Sequence, residues 1–198
     1  MHPSDHRRHH VQRRDVLRLA FCGGASLACG LLAVPRQAAA LGGTLPDLDH
    51  AAPDFRLQGI RPGRGGELEE AELGLQDFAG HWLVLYFYPR DFTEGCTLEA
   101  RGFQRDLRRY RALDATVVGI SADDPGSHAE FCGSEGLSYP LLSDPGGRVS
   151  QAYGSWLPPF SQRHTFLIDP EGTLRARWVA VRPAGHSAEV LASLAALR

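Results

Sequence analysis

Lysine is missing altogether: all 21 basic residues of this 198-residue chain are arginine. That excludes a lysine Schiff base and a Walker-type phosphate loop, both of which need the amine. Cysteine is scarce, at Cys22, Cys29, Cys96 and Cys132, and no two stand in C-x-x-C or C-x-x-x-C spacing. A dithiol motif of the disulfide-exchange type is therefore absent. No repeat or low-complexity segment occurs. Removing residues 1–40 takes away six arginines and two aspartates, leaving 15 basic against 21 acidic residues and a net charge of −6. An acidic domain argues against a nucleic-acid surface, and no nucleic acid is expected as a partner. The remaining length suits one well-cored domain.

The first forty residues read as a leader. Arg13 and Arg14 precede an uncharged stretch, residues 19–34, with three glycines, and Ala38, Ala39 and Ala40 offer a small-residue cleavage site. Paired arginines, a mildly apolar core and an A-x-A end predict a twin-arginine export signal over residues 1–40, with a single domain over 41–198. Sixteen residues with three glycines make a poor membrane span. The expected partner of the leader is the Tat export machinery, and the expected destination is the periplasm or the cell exterior. The alternative is a membrane-anchored protein, through an uncleaved leader or a lipidated Cys29. Cys22 and Cys29 belong to this leader, as do His6, His9 and His10, so the mature domain holds two thiols and no metal site is expected.

Most informative is the stretch from Tyr86 to Glu99. The apolar run of residues 82–88 reads as a buried strand stopped by Pro89. Ala100, Phe103, Leu107 and Tyr110 then recur at helical spacing. Cys96 thus stands at the handover from strand to first helical turn, where free backbone N–H groups and the helix dipole favour a thiolate. Read by itself it is either a nucleophile or a small buried hydrophobe. Arg101, Arg105, Arg108, Arg109 and Arg111 form the solvated face of the same helix.

Pro89, Thr93 and Cys96 stand in P-x-x-x-T-x-x-C spacing, and the string YPRDFTEGCTLEA resembles the PrxQ, or bacterioferritin comigratory protein, branch of the peroxiredoxins. Residues 163–169, RHTFLID, and 140–144, PLLSD, resemble further segments of that family, so the likeness spans residues 46–198. It implies an α/β, thioredoxin-like fold, a central mixed β-sheet flanked by helices, in a monomeric thiol-dependent peroxidase acting on hydrogen peroxide and small organic hydroperoxides without a cofactor. Cys96 would attack the peroxide and become a sulfenic acid. Thr93 and the backbone near Gly95 would bind the peroxide, Pro89 would shield the sulfur, and Arg163 would hold the thiolate and the peroxide oxygens. Glu99 would orient Arg163 or another donor. Thr93 as an N-cap and Glu99 as a first-turn dipole partner are compatible readings. Glu94 replaces the family's usual proline, which loosens the loop.

Many relatives carry a second cysteine five residues after the first; here that position is Arg101. Some members instead place the resolving cysteine in the following helix, and Cys132 lies 36 residues on from Cys96. Asp124, Pro125 and Gly136 delimit a short helix there, weakened by Gly126 and Gly133. On this reading Cys132 closes a disulfide with Cys96, which a thioredoxin-like or other thiol donor reduces. The alternative is a Cys132 that is plain core, with an external thiol resolving Cys96. Two other classes stay open: an exported thiol–disulfide oxidoreductase, and a non-enzymatic binding or chaperone module on the same fold.

For the rest of the chain, residues 115–121 read as a second buried strand, and 164–169 with 175–181 as a hairpin. Val190, Leu191, Leu194 and Leu197 line one face of a last helix. Residues 41–53 read as an extended arm and 59–66 as a loop. Residues 156–160 read as an apolar rim or as core closure.

Overall fold

The computed structural model describes residues 39–40 and 42–198. All of the predicted export signal but Ala39 and Ala40, including Cys22, Cys29, His6, His9 and His10, lies outside the described residues.

In chain order the strands are β1 (Ala39–Ala40), β2 (Gly43–Thr44), β3 (Arg56–Pro62), β4 (Leu68–Gly74), β5 (Trp82–Phe87) and β6 (Ala115–Ser121). They continue with β7 (Leu141–Ser143), β8 (Trp156–Leu157), β9 (Phe160–Ser161), β10 (His164–Ile168) and β11 (Leu174–Trp178). The helices are α1 (Glu94–Ala112), α2 (Pro125–Glu135), α3 (Arg148–Ala152) and α4 (His186–Leu197), with a 3-10 turn at Leu75–Phe78. Seven strands form one mixed sheet in the order β11-β10-β5-β6-β7-β3-β4. β5, β6 and β7 are parallel, and the flanking pairs are antiparallel.

The apolar run seen in the sequence is central β5, buried at all six positions. Both faces need cover there, so a continuous apolar run replaces alternation. Successive side chains point to opposite faces. Val84, Tyr86 and Tyr88 meet Phe103, Tyr110, Phe131, Val190 and Leu194 of α1, α2 and α4 on one side. Leu83, Leu85 and Phe87 meet Val149, Tyr153 and Phe166 on the other. The mixed sheet flanked by helices is the architecture expected from the sequence.

Several local expectations need correction. Residues 59–66 are not a loop: β3 and β4 pair as a hairpin along Arg56–Pro62 and Leu68–Gly74. Gly59 is a close-approach residue, since a Cβ there would lie 2.2 Å from the Leu141 carbonyl oxygen of β7. The second strand of the C-terminal hairpin stops at Trp178, because the chain turns at Ala180 (φ 52°) and Val181 N–H donates to the Arg163 carbonyl. In α4, Val190, Leu191 and Leu194 are buried but Leu197, in the last turn, is exposed. Residues 156–160 form a small hairpin of β8 and β9 whose Phe160 ring receives the Arg90 guanidinium at 4.5 Å.

Candidate active site

The site grows out of the end of β5. Tyr88 N–H still donates to Ile120 of β6, and the half-buried Pro89 then turns the chain into a short loop. Thr93 is the N-cap of α1 by position, with extended backbone, but its side chain makes no cap bond. Its hydroxyl donates instead to the Arg90 carbonyl at 3.0 Å. The first N–H groups of a helix have no intrahelical acceptor. Those of Glu94, Gly95 and Cys96 therefore converge at the cysteine, with the positive end of a 19-residue helix behind them.

Arg163 reaches this point from the start of β10. Its Nη2 donates to Cys96 Sγ at 3.3 Å, and its Nη1 to Glu99 Oε2 at 2.5 Å. One planar fork thus spans sulfur and carboxylate, a geometry that lysine's single ammonium cannot supply. Gly95 makes room: a Cβ there would lie 3.2 Å from Arg163 Nη2 and 3.6 Å from Pro183. Cys96 and Glu99 are each only 1% exposed. Burial pushes the Glu99 carboxyl up to about 7, against the pull of Arg163. Burial alone would lower Arg163, but the charges of Glu99 and Cys96 raise it on balance. A permanent cation held against a sulfur is suited to stabilising charge on that sulfur.

Cys132 sits where the sequence placed it. α2 starts after Asp124, whose side chain accepts from Ser127 N–H, carries Pro125 in its first turn and ends at Gly136 in the left-handed region. Cys132 is a free thiol buried in the same apolar cluster as Cys96, which is also free. Burial, then the charge of Asp91, pushes the Cys132 thiol up to about 12. Among the described residues, no three His, Cys, Asp or Glu side chains gather as a metal site.

The match to known proteins follows the same residues. The AhpC/TSA family model matches residues 48–177. The chain belongs to this family, in the Bcp/PrxQ branch of the peroxiredoxins. It is 40% identical to peroxiredoxin Bcp of Xanthomonas campestris over 131 residues, covering 62% of this chain and 81% of the relative. It is 35% identical to peroxiredoxin Bcp of Bacillus subtilis over 156 residues, 75% of this chain and 94% of that one. A solved structure of the Xanthomonas campestris bacterioferritin comigratory protein, studied for its alkyl peroxide reduction activity, superposes with a TM-score of 0.65 at 33% identity. That likeness covers 72% of this chain and 91% of the other. The fold is therefore thioredoxin-like, and the protein is a peroxidase oxidoreductase of the peroxiredoxin type.

A further group of residues in this peroxiredoxin carries no sequence motif. Asp91, in the loop before Cys96, is buried and bonded to Tyr88, Ser127 and His128. The partners lie 3 residues before it and 36 and 37 residues after it, so no local periodicity joins them. The one available signal was an aspartate inside the active-site string itself.

Proposed function

We propose that this peroxiredoxin reduces hydrogen peroxide and small organic hydroperoxides through Cys96 and resolves the product through Cys132. The Arg163 fork supports this reading most directly, being bonded to the Cys96 sulfur and anchored on Glu99. The thiolate attacks one peroxide oxygen; the S–O bond forms as the O–O bond breaks, leaving Cys96 as a sulfenic acid. The departing alkoxide or hydroxide takes a proton. Arg163 and the free N–H groups of α1 stabilise the charge that moves onto oxygen. Because the Thr93 proton is committed to Arg90, its oxygen is free to accept the peroxide O–H.

Cys132 then attacks the oxidised sulfur. The S–S bond forms, the Cys96 S–O bond breaks, and hydroxide leaves with the thiol's proton as water. A disulfide needs Cα atoms within about 7 Å, and in the proposed cycle α2 unwinds to let Cys132 approach Cys96. A thioredoxin-like dithiol reduces the bond afterwards. The alkyl peroxide activity of the Xanthomonas homologue favours organic hydroperoxides as one substrate class. We further propose export through the twin-arginine leader, on the strength of the sequence of residues 1–40, and a monomer, on the family resemblance alone.

Peptide mass mapping of the reduced mature domain after one equivalent of hydrogen peroxide, without added thiol, tests the cycle. A Cys96–Cys132 linked peptide within seconds is the expected result. A sulfenic or sulfinic acid at Cys96 with Cys132 free would keep the peroxidase and remove the two-cysteine cycle.

A further inference from the structure

One buried carboxylate joins α2 to the loop before Cys96. Asp91 Oδ1 accepts from the Tyr88 hydroxyl at 2.8 Å. Its Oδ2 accepts from Ser127 Oγ at 2.8 Å and from His128 Nδ1 at 2.9 Å. Asp91 N–H donates to Asp123 Oδ2 at 2.9 Å, and Asp123 also accepts from Ser121 Oγ at 2.7 Å. The loop, the end of β6 and the first turn of α2 are thus one network. A carboxylate only accepts, so His128 carries its proton on Nδ1. His128 is fully buried and its Nε2 has no partner among the described residues.

The buried side chains of α2 are His128, Phe131 and Cys132. Spacings of three and four put them on one face, with His128 one turn before the thiol. Phe131 meets the ring of Phe92, in the same loop as Asp91, edge-on at 5.2 Å. At the far end Glu135, 11% exposed, pairs with Arg101 of α1, whose guanidinium arm is 66% exposed and open to solvent screening, whereas Asp91 and His128 are 1% and 0% exposed. Bonds to a fully buried charge are the stronger kind, and a pair with one solvent-exposed partner is weakened by screening. The ties to Asp91 therefore dominate the polar hold on this helix.

We propose that Asp91, Ser127 and His128 form a latch that keeps α2 folded against the Cys96 loop and sets how often Cys132 is released. This rests on the reading that Cys132 resolves Cys96. The three are positioning residues, since none hydrogen-bonds either sulfur. The step they gate forms the Cys96–Cys132 bond, breaks the Cys96 S–O bond and yields water. A tight latch lengthens the life of the sulfenic acid, which a second peroxide converts to sulfinic acid.

The test is rapid-quench kinetics of the two oxidation steps, with hydrogen exchange of α2 amides in the reduced protein. Losing one charge-assisted bond shifts a local opening equilibrium about tenfold. His128→Leu is expected to speed disulfide formation and α2 exchange by that factor, while Cys96 oxidation keeps its wild-type rate. Sulfinic acid at high peroxide falls correspondingly. His128→Asn, which returns a donor at the Nδ1 position, restores both rates. Ser127→Ala, at a half-buried site, moves both in the same direction and decides the matter should His128→Leu not fold. Folded variants with unchanged α2 exchange and disulfide rate, beside a wild type that forms the bond, overturn the latch alone. A wild type that forms no Cys96–Cys132 bond overturns the resolving reading and the latch with it.

Discussion

Replacing Gly133 by alanine acts on one quantity, the stability of α2. Gly133 lies on the exposed side of that helix, and a Cβ there meets nothing within 4 Å. No contact is gained or lost, so intrinsic helix propensity decides, at roughly 0.8–1.0 kcal/mol in favour of alanine. If Cys132 reaches Cys96 only from an unwound α2, the open population falls by the Boltzmann factor of that energy, about four- to fivefold. Disulfide formation slows by the same factor, and Cys96 oxidation keeps its rate. The assay is acid quenching at millisecond intervals after one equivalent of peroxide, followed by quantitation of the linked peptide. More Cys96 reaches sulfinic acid at high peroxide, because the sulfenic acid survives longer. A variant whose α2 amides exchange more slowly, yet whose disulfide forms as fast as the wild type's, would refute the need for unwinding.

Three further outcomes are expected. Arg163→Gln removes a cation 3.3 Å from Cys96 Sγ; an interaction of about 4 kcal/mol at 4 Å and an effective dielectric of 20 converts to a loss of about 10²- to 10³-fold in the rate of Cys96 oxidation. A loss under threefold, read by peroxide competition kinetics, would count against charge stabilisation by Arg163. Cys132→Ser leaves the first oxidation at its wild-type rate and yields no intramolecular disulfide by mass mapping; a persisting Cys96 crosslink to another residue of this chain would contradict this. Glu99 titrates at about 7 when folded against an ordinary 4.5, so between those values the folded state binds the extra proton and stability falls as pH rises. The full effect is about 3 kcal/mol, complete above pH 7, and Glu99→Gln abolishes it. Denaturant melts at pH 4 and pH 8 measure the slope, and an unchanged slope in the variant would assign it to another group.

What the sequence showed and what it hid follow a physical division. The strand of residues 82–88, the face of α1 through Phe103, Leu107 and Tyr110, and the ends of α2 are local signals. Apolar run length, helical period, and the cap residues Asp124, Pro125 and Gly136 each act within a few residues. The β3–β4 hairpin was hidden because its signals were reversed. Gly59 suggested a loop, yet its missing side chain is what lets β7 approach. In edge strand β4, Glu69, Glu70 and Glu72 face out, a charged pattern that guards an edge against further pairing. Cys96 was legible through motif spacing, Glu99 through its place one turn on, and Arg163 through the family resemblance of residues 163–169, although the 2.5 Å contact of Glu99 with Arg163 is a tertiary fact. The Asp91 network was not legible, since it joins a loop to a helix across more than thirty residues by side chains common on any surface.

The burial of Cys132 has a consequence for selectivity towards foreign sulfur. A thiol held at about 12 is ionised in roughly one molecule in 10⁵ at pH 7. While α2 is wound, that sulfur is nearly inert to disulfides, alkylating agents and soft metals in its surroundings. Two thiols can therefore share one small domain without scrambling with every oxidised partner they meet. In the cycle proposed above, unwinding would remove the burial that suppresses ionisation, so the second sulfur would gain reactivity in the same motion that brings it within reach of the first.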